Sequence, residues 1–136
     1  MYPEGKHVLV IDDDAARRQL SERVLISAGF AVTVVADGFS AIRAADRGRF
    51  ALALAAASLP GMLDGRATVR QIRARQPWLK ALFTGDAAGR PWPQRDCDDF
   101  IAAPFRSREL LGCVFELLQR DAARRHLDRA DHSRAG

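Results

Sequence analysis

Five short apolar segments alternate along the chain with segments of helical periodicity, and this alternation limits the possible folds more than any other feature. Short runs rich in β-branched residues and bounded by Gly, Pro or Asp are typical of buried strands. Strands are predicted at 7–11, 30–35, 50–57, 78–83 and 99–103. Helices are predicted at 14–28, 39–47, 64–76 and from 107 to beyond 119. Since strands joined by helical crossovers pair in parallel, the sequence predicts an α/β fold with a five-stranded parallel sheet and helices on both faces.

The helical pattern fails in one interval, between residues 85 and 99. Gly89, Pro91 and Pro93 fall where a fourth helix of the alternation is expected, and proline removes a backbone donor from a helix interior. The fourth helix is therefore predicted to be short or irregular. Trp92 lies between two of these prolines and is interpreted as an anchor packed on the core edge, with an exposed contact residue as the alternative.

Length and composition are those of one globular domain. The chain has 136 residues, of which 48% are hydrophobic and 28% are charged, and a chain of this kind buries a core of its own. Residues 1–119 are assigned to the domain, and residues 120–136 to a polar extension of the last helix that frays towards its end. No apolar run approaches the ~18 residues of a membrane span, and the first residues lack the apolar core of a signal peptide, so a cytoplasmic protein is expected.

The charge distribution gives little support for a nucleic-acid partner. The net charge of +4 does not concentrate in one part of the chain. In the last segment, residues 120–136, arginines alternate with aspartates, which is typical of a solvated or partner-facing helix. Nucleic acid is therefore a disfavoured partner.

Polar and small residues gather where the predicted strands end. The residues at these ends are Asp12, Asp13, Ala56, Thr84, Ala103 and Pro104. The carboxyl ends of parallel strands meet at one edge of a sheet, and α/β proteins bind their ligands at that edge. We expect these residues to lie together in the functional site.

The chain resembles the receiver domain of bacterial two-component response regulators, a CheY-like domain with a flavodoxin-like (βα)5 fold. The resemblance spans about residues 6–118 and is carried by four segments in the family's order, 8–14, 58–65, 82–85 and 99–105. In this family an acidic pair after the first strand holds Mg²⁺, and Asp12 and Asp13 occupy those places. Carboxylate oxygens are the ligands that such a hard dication prefers. The alternative interpretation is a solvated aspartate cluster that caps the following helix.

The resemblance also locates the reactive positions, and two of them carry alanine. The acceptor aspartate of the family corresponds to Ala56, and the lysine that pairs with the phosphoryl group corresponds to Ala103. A methyl group has no lone pair with which to attack phosphorus, so phosphorylation at this position is excluded and no catalytic residue is assigned. The switch hydroxyl and switch aromatic of the family correspond to Thr84 and Phe100. The Ala103–Pro104 bond is implied to be cis.

The double replacement has electrostatic consequences. A buried lysine without its carboxylate partner is an unpaired charge, so the loss of both groups together is compensated. Mg²⁺ binding is expected to be weak if it occurs, since one of the three family ligands is replaced, and no cofactor is required. Two adjacent carboxylates repel, so at least one of Asp12 and Asp13 is predicted to be solvated or to have a raised pKa.

These features predict a pseudo-receiver, a two-component signalling module that is not an enzyme and that acts through protein contacts. The expected partners are a histidine kinase, a phosphotransferase or another signalling protein, and a homodimer through the last helix is compatible with them. The expected contact residues are Arg17, Leu20 and Trp92. Two alternatives stay open. One is a working receiver phosphorylated on Asp13, Asp14 or Asp86, and the other is a regulator that contacts nucleic acid through its arginine-rich tail.

Overall fold

Five parallel strands form one sheet in the order β2-β1-β3-β4-β5. The computed structural model describes residues 6–86 and 98–120. The strands are β1 (His7–Ile11), β2 (Ala31–Val35), β3 (Leu52–Ala56), β4 (Lys80–Gly85) and β5 (Asp99–Ala102). The helices are α1 (Ala15–Ser27), α2 (Gly38–Arg47), α3 (Gly65–Arg75) and α4, which is helical over 107–120. The predicted α/β class and the parallel flavodoxin-like sheet are confirmed.

Apolar side chains cover both faces of the sheet, because alternate residues of a strand point to opposite faces. Leu9 and Ile11 of β1 belong to the buried cluster under α2 and α3. Val8 and Val10 belong to the buried cluster on the other face, under α1 and α4. Since helices cover both faces, residues 8–11 of β1 and all residues of β3 (LALAA) are apolar, and these segments are continuous apolar runs.

Aspartates begin the three helices that follow β1, β2 and β3. Asp14, Asp37 and Asp64 are the N-caps of α1, α2 and α3, and each carboxylate accepts hydrogen bonds from backbone N–H groups of the first turn. Hydrogen bonds from the backbone N–H and the hydroxyl of Ser40 lower the pKa of Asp37. Helix α1 ends before Gly29, whose φ of 101° lies in the left-handed region. Glycine adopts that conformation without strain, so the predicted end of this helix is confirmed.

The fourth strand begins two residues later than predicted, at Lys80 instead of Trp78. Trp78 lies in a turn, where its indole N–H donates to the Phe50 carbonyl at 3.0 Å and the Arg49 guanidinium stacks on its ring at 3.9 Å. The Gln76 side chain accepts from the Phe50 N–H at 2.9 Å and donates to two carbonyls at 2.8 and 2.9 Å. The apolar residues before β4 therefore belong to a turn, and this turn is hydrogen-bonded to residues that precede β3.

Two predictions concern residues outside the described ranges. The irregular fourth helix, with Trp92, falls mainly in 87–97, and the frayed tail falls in 121–136. Helix α4 reaches residue 120, so the described part of the chain includes the start of the predicted polar extension. In 6–86 and 98–120, none of the helices combines the length and the apolar character that a membrane span requires.

Candidate functional site

The carboxyl ends of the strands meet at one edge of the sheet, as predicted. Ala56, at the end of β3, is paired in register with Thr84 of β4. Ala103, just after β5, donates its N–H to the Gly85 carbonyl at 2.8 Å. Asp12, just after β1, donates its N–H to the last carbonyl of β2 at 3.0 Å. The backbone therefore fixes the predicted site residues along a single edge.

Position 56, which the resemblance predicts to correspond to the family's acceptor, is part of the apolar core. Ala56 is 4% exposed and lies in the same buried cluster as Phe83 and Phe100. Helix α3 begins close to it, since a Cβ added to Gly65 would lie 2.1 Å from the Ala56 carbonyl oxygen. The Ala56 methyl group carries neither charge nor lone pair, so this position supplies no nucleophile.

The two residues that the resemblance predicts as switch positions, Thr84 and Phe100, carry a hydroxyl and an aromatic ring. Thr84 is 3% exposed and Phe100 is 8% exposed. The Phe100 ring lies over the end of β4, where a Cβ added to Gly85 would be 3.5 Å from its Cζ atom. Ala103 is half-buried against the cluster under α1 and α4, and its peptide bond to Pro104 is cis, as the resemblance implies. The position predicted to correspond to the family's lysine therefore holds a small apolar side chain.

Asp12 is the buried charge of the site, and it is bonded from several sides by groups of this chain. It is 4% exposed. Its Oδ2 accepts from Arg17 Nε at 2.6 Å, and its Oδ1 accepts from Arg17 Nη2 at 2.9 Å and from the Asp14 N–H at 3.0 Å. Arg18 Nη1 donates to the Asp12 carbonyl oxygen at 2.8 Å. The two-pronged contact matches the planar fork of a guanidinium, so Arg17 neutralises this carboxylate.

The next two aspartates are exposed to solvent. Asp13 is exposed, which confirms that at least one member of the acidic pair is solvated. Asp14 caps α1, because its Oδ1 accepts from the Ala16 N–H at 3.0 Å and from the Arg17 N–H at 3.2 Å. The capping interpretation therefore describes Asp14, whereas Asp12 is held by an ion pair.

The sequence predicts Arg17 only as a residue that contacts a partner protein. In the structure its side chain also forms an ion pair with Asp12. Its side chain is 31% exposed. The hydrogen bond to Asp12 raises the pKa of the guanidinium above its usual value, so the group stays charged at any physiological pH. Arg17 is the third residue of α1, and helical side chains lean towards the N-terminus, which here adjoins the end of β1. An arginine in the first helical turn after Asp12 is therefore the sequence feature that indicates this ion pair.

The acidic residues do not fit a divalent metal of the kind that the family binds. Both carboxylate oxygens of Asp12 are bonded to the Arg17 guanidinium, Asp13 is exposed, and position 56 supplies a methyl group where a third carboxylate is needed. A hard dication requires several oxygen ligands directed at one point. Across the described ranges, no group of three His, Cys, Asp or Glu side chains is arranged to hold a metal.

A groove of about 470 Å³ lies beside the ion pair, between α1 and the segment that follows β5. Its lining residues are Asp14, Ala16, Arg17, Leu20, Ala103, Pro104 and Phe105. Leu20 is 39% exposed, so it presents apolar surface next to the guanidinium. The structure thus brings Arg17 and Leu20 to one groove, whereas Trp92 lies outside the described residues.

Several known proteins share this sequence pattern and fold. The chain is 33% identical over 126 residues to the transcriptional regulatory protein GltR of Pseudomonas aeruginosa, with 88% of this chain and 52% of GltR covered. This chain therefore spans about half the length of that relative.

Solved structures of receiver domains have the same architecture. The receiver domain of the sensor histidine kinase PA1611 from Pseudomonas aeruginosa, solved with magnesium, is 29% identical, with a TM-score of 0.73 and coverage of 85% of this chain and 98% of that one. A CheY-like receiver domain protein from Methanospirillum hungatei has a TM-score of 0.77 at 22% identity, with 89% and 99% covered. Residues 8–114 match the response regulator receiver domain family, and this chain belongs to that family.

Proposed function

We propose that this receiver domain takes part in two-component signalling without aspartyl phosphorylation, through contacts with other signalling proteins. The observation that carries the proposal is the buried methyl group of Ala56 at the end of β3, 4% exposed, where the family has its acceptor carboxylate. Phosphoryl transfer needs a nucleophile at that point, and a methyl group is none.

The neighbouring position supports the same proposal. Ala103 replaces the lysine that pairs with the phosphoryl group in the family, so the acceptor carboxylate and its lysine partner are missing together. A lysine here would need an anion to offset its charge, and the nearby Ala56 provides none. Loss of both groups leaves small apolar side chains at both positions and no unpaired charge between them. The domain is accordingly proposed to be a binding module and not an enzyme.

Intact mass spectrometry after incubation with acetyl phosphate and Mg²⁺ tests the proposal. We expect no phosphoryl adduct on the wild-type domain. A parallel Ala56→Asp/Ala103→Lys/Arg17→Gln variant restores both groups and removes the guanidinium that occupies the Asp12 carboxylate. An adduct on that variant shows that the donor is active. A hydroxylamine-sensitive adduct on the wild-type protein would contradict the proposal. It would favour the alternative of a working receiver with a displaced acceptor, which Asp13→Asn, Asp14→Asn and Asp86→Asn variants would then locate.

The proposed contact surface is the groove between α1 and residues 103–105. It combines the apolar side chains of Leu20 and Phe105 with the charge of Arg17, and mixed surfaces of this kind suit protein partners. We propose a histidine kinase or a phosphotransferase domain as the partner. The similar magnesium-bound structure is the receiver domain of a sensor histidine kinase, PA1611. A homodimer through α4 is compatible with this groove, because the two surfaces use different helices, and light scattering measures it directly.

Leu20→Glu is expected to weaken binding to such a partner by about tenfold to a hundredfold, since it puts a charge in the apolar part of the groove. The matched control is Ile26→Glu, the same change at a residue of α1 that is 53% exposed and does not line the groove. The measurement is biolayer interferometry against purified histidine kinase and phosphotransferase domains. Equal weakening by both variants, or no weakening by Leu20→Glu, would place the interface elsewhere.

A further inference from the structure

We propose that Arg17 takes the charge-neutralising place of the family's divalent metal, and that the acidic site of this domain works without a metal ion. The inference rests on the proposed function in one respect, because a domain that accepts no phosphate has no need of a metal to neutralise it. It is carried by the contact between Arg17 and Asp12, at 2.6 Å from Nε to Oδ2 and 2.9 Å from Nη2 to Oδ1.

The bonding of Asp12 leaves little capacity for a metal. Its Oδ2 takes one donor and its Oδ1 takes two, from Arg17 and from the Asp14 N–H. The Asp12 carbonyl oxygen accepts from Arg18, so the backbone oxygen is bonded as well. A dication at this carboxylate has to break two charge-assisted hydrogen bonds and then lie beside a displaced guanidinium, which repels it.

The fold also holds the guanidinium in position. Arg17 lies in the first turn of α1, and Asp14, the cap of that helix, has its Oδ2 3.8 Å from Arg17 Nη1. Arg17 is thus held between one buried carboxylate and one exposed carboxylate. Since Asp12 is 4% exposed, salt screens the pair far less than it screens a surface ion pair. The guanidinium is therefore a built-in competitor of any cation that approaches Asp12.

Metal titration of four proteins tests the inference. The proteins are the wild-type domain, Arg17→Gln, Arg17→Lys and Arg18→Gln. Mn²⁺ binding is followed by electron paramagnetic resonance, and the effect of millimolar Mg²⁺ on the thermal midpoint is measured in parallel. Arg17→Gln removes the competing charge, Arg17→Lys retains a charge, and Arg18→Gln is the matched control because Arg18 touches the Asp12 carbonyl but not its carboxylate.

The wild-type domain is expected to show no Mn²⁺ binding at Asp12 and no Mg²⁺-dependent shift of its midpoint. The Arg17→Gln variant is expected to bind Mn²⁺ at least about tenfold more tightly than the upper limit measured for the wild type, a difference that corresponds to about 1.4 kcal/mol. Arg17→Lys and Arg18→Gln are expected to behave as the wild type does. A wild-type affinity equal to that of Arg17→Gln, or an increase of equal size in Arg18→Gln, would overturn the inference.

If Arg17→Gln does not fold, an experiment on the wild-type protein alone tests the inference. In a ¹⁵N–¹H spectrum, Mn²⁺ broadens the amide signals near its binding site, so unbroadened signals of Asp12, Asp13 and Ala56 are expected. Selective broadening of those signals would refute the inference. The outcome is separate from that of the proposed function, because a phosphoryl adduct tests position 56 and its alternatives, whereas Mn²⁺ binding tests the Arg17–Asp12 pair.

Discussion

Gly65→Ala is expected to destabilise the domain by about 3 kcal/mol, one of the largest effects of any single methyl group in this chain. A Cβ at this position would lie 2.1 Å from the carbonyl oxygen and 3.0 Å from the carbonyl carbon of Ala56. Both atoms belong to the backbone of β3, which is buried and paired with strands on both sides. The clash is relieved only if α3 moves away from the sheet, because no flexible side chain is available to yield.

Chemical unfolding in urea measures the loss, and Gly112→Ala in α4 is the matched control. A Cβ at Gly112 meets no atom within 4 Å, so the same substitution there is expected to stabilise the helix by up to about 1 kcal/mol. The two variants should therefore change the free energy of unfolding in opposite directions. An unchanged stability of Gly65→Ala would mean that α3 does not begin within 2.1 Å of the Ala56 carbonyl oxygen, measured from a Cβ at position 65.

Arg17→Met is expected to cost about 3 kcal/mol, because it leaves the Asp12 carboxylate buried without a counter-charge. This cost lies at the lower end of the range for breaking a buried ion pair. The reason is that the Arg17 side chain is 31% exposed, so water reaches this site more readily than it reaches a closed core. The exposed arginine of the same helix, Arg23, is the control, and Arg23→Met is expected to change the stability by less than about 0.5 kcal/mol.

The double variant Asp12→Leu/Arg17→Met separates the pair from its surroundings. Removal of both charged groups leaves no unpaired charge. The double variant is therefore expected to lose about 2 kcal/mol less stability than the sum of the losses in the two single variants. Urea unfolding of the four proteins in this cycle gives the coupling energy. Single effects that add within about 0.5 kcal/mol would show that the contact at 2.6 Å contributes no coupling.

Much of the fold is predictable because its elements are marked locally. Asp14 and Asp64 mark helix starts through their short polar side chains, and Gly29 marks a helix end through its freedom to take a φ of 101°. The start of β4 is not predictable in this way. Trp78 is an aromatic residue of the kind that is common in strands. Its indole N–H, however, donates to the carbonyl of Phe50, which lies 28 positions away in the chain. No local pattern carries information about that partner.

Some features of the site are likewise predictable from the sequence, and others depend on the tertiary structure. Alanine at positions 56 and 103 is read directly from the chain, and side-chain chemistry alone establishes that neither methyl group is a nucleophile, whatever the fold does with it. The fate of the acidic residues depends on tertiary structure. Asp12 and Asp13 are adjacent and chemically identical, yet one is 4% exposed and paired while the other is exposed to solvent.

The sequence by itself determined the α/β class, the parallel pairing of five strands and the presence of alanine at positions 56 and 103. Each of these depends on periodicity or on the identity of a single side chain. Only the tertiary structure decided which cation neutralises the buried carboxylate. Arg17 and Arg18 are neighbours in the same helical turn, and the way α1 leaves β1 directs the first to the Asp12 carboxylate and the second to its carbonyl. The physical reason is that an ion pair depends on distance and burial, which a sequence does not specify until the fold brings the two groups together.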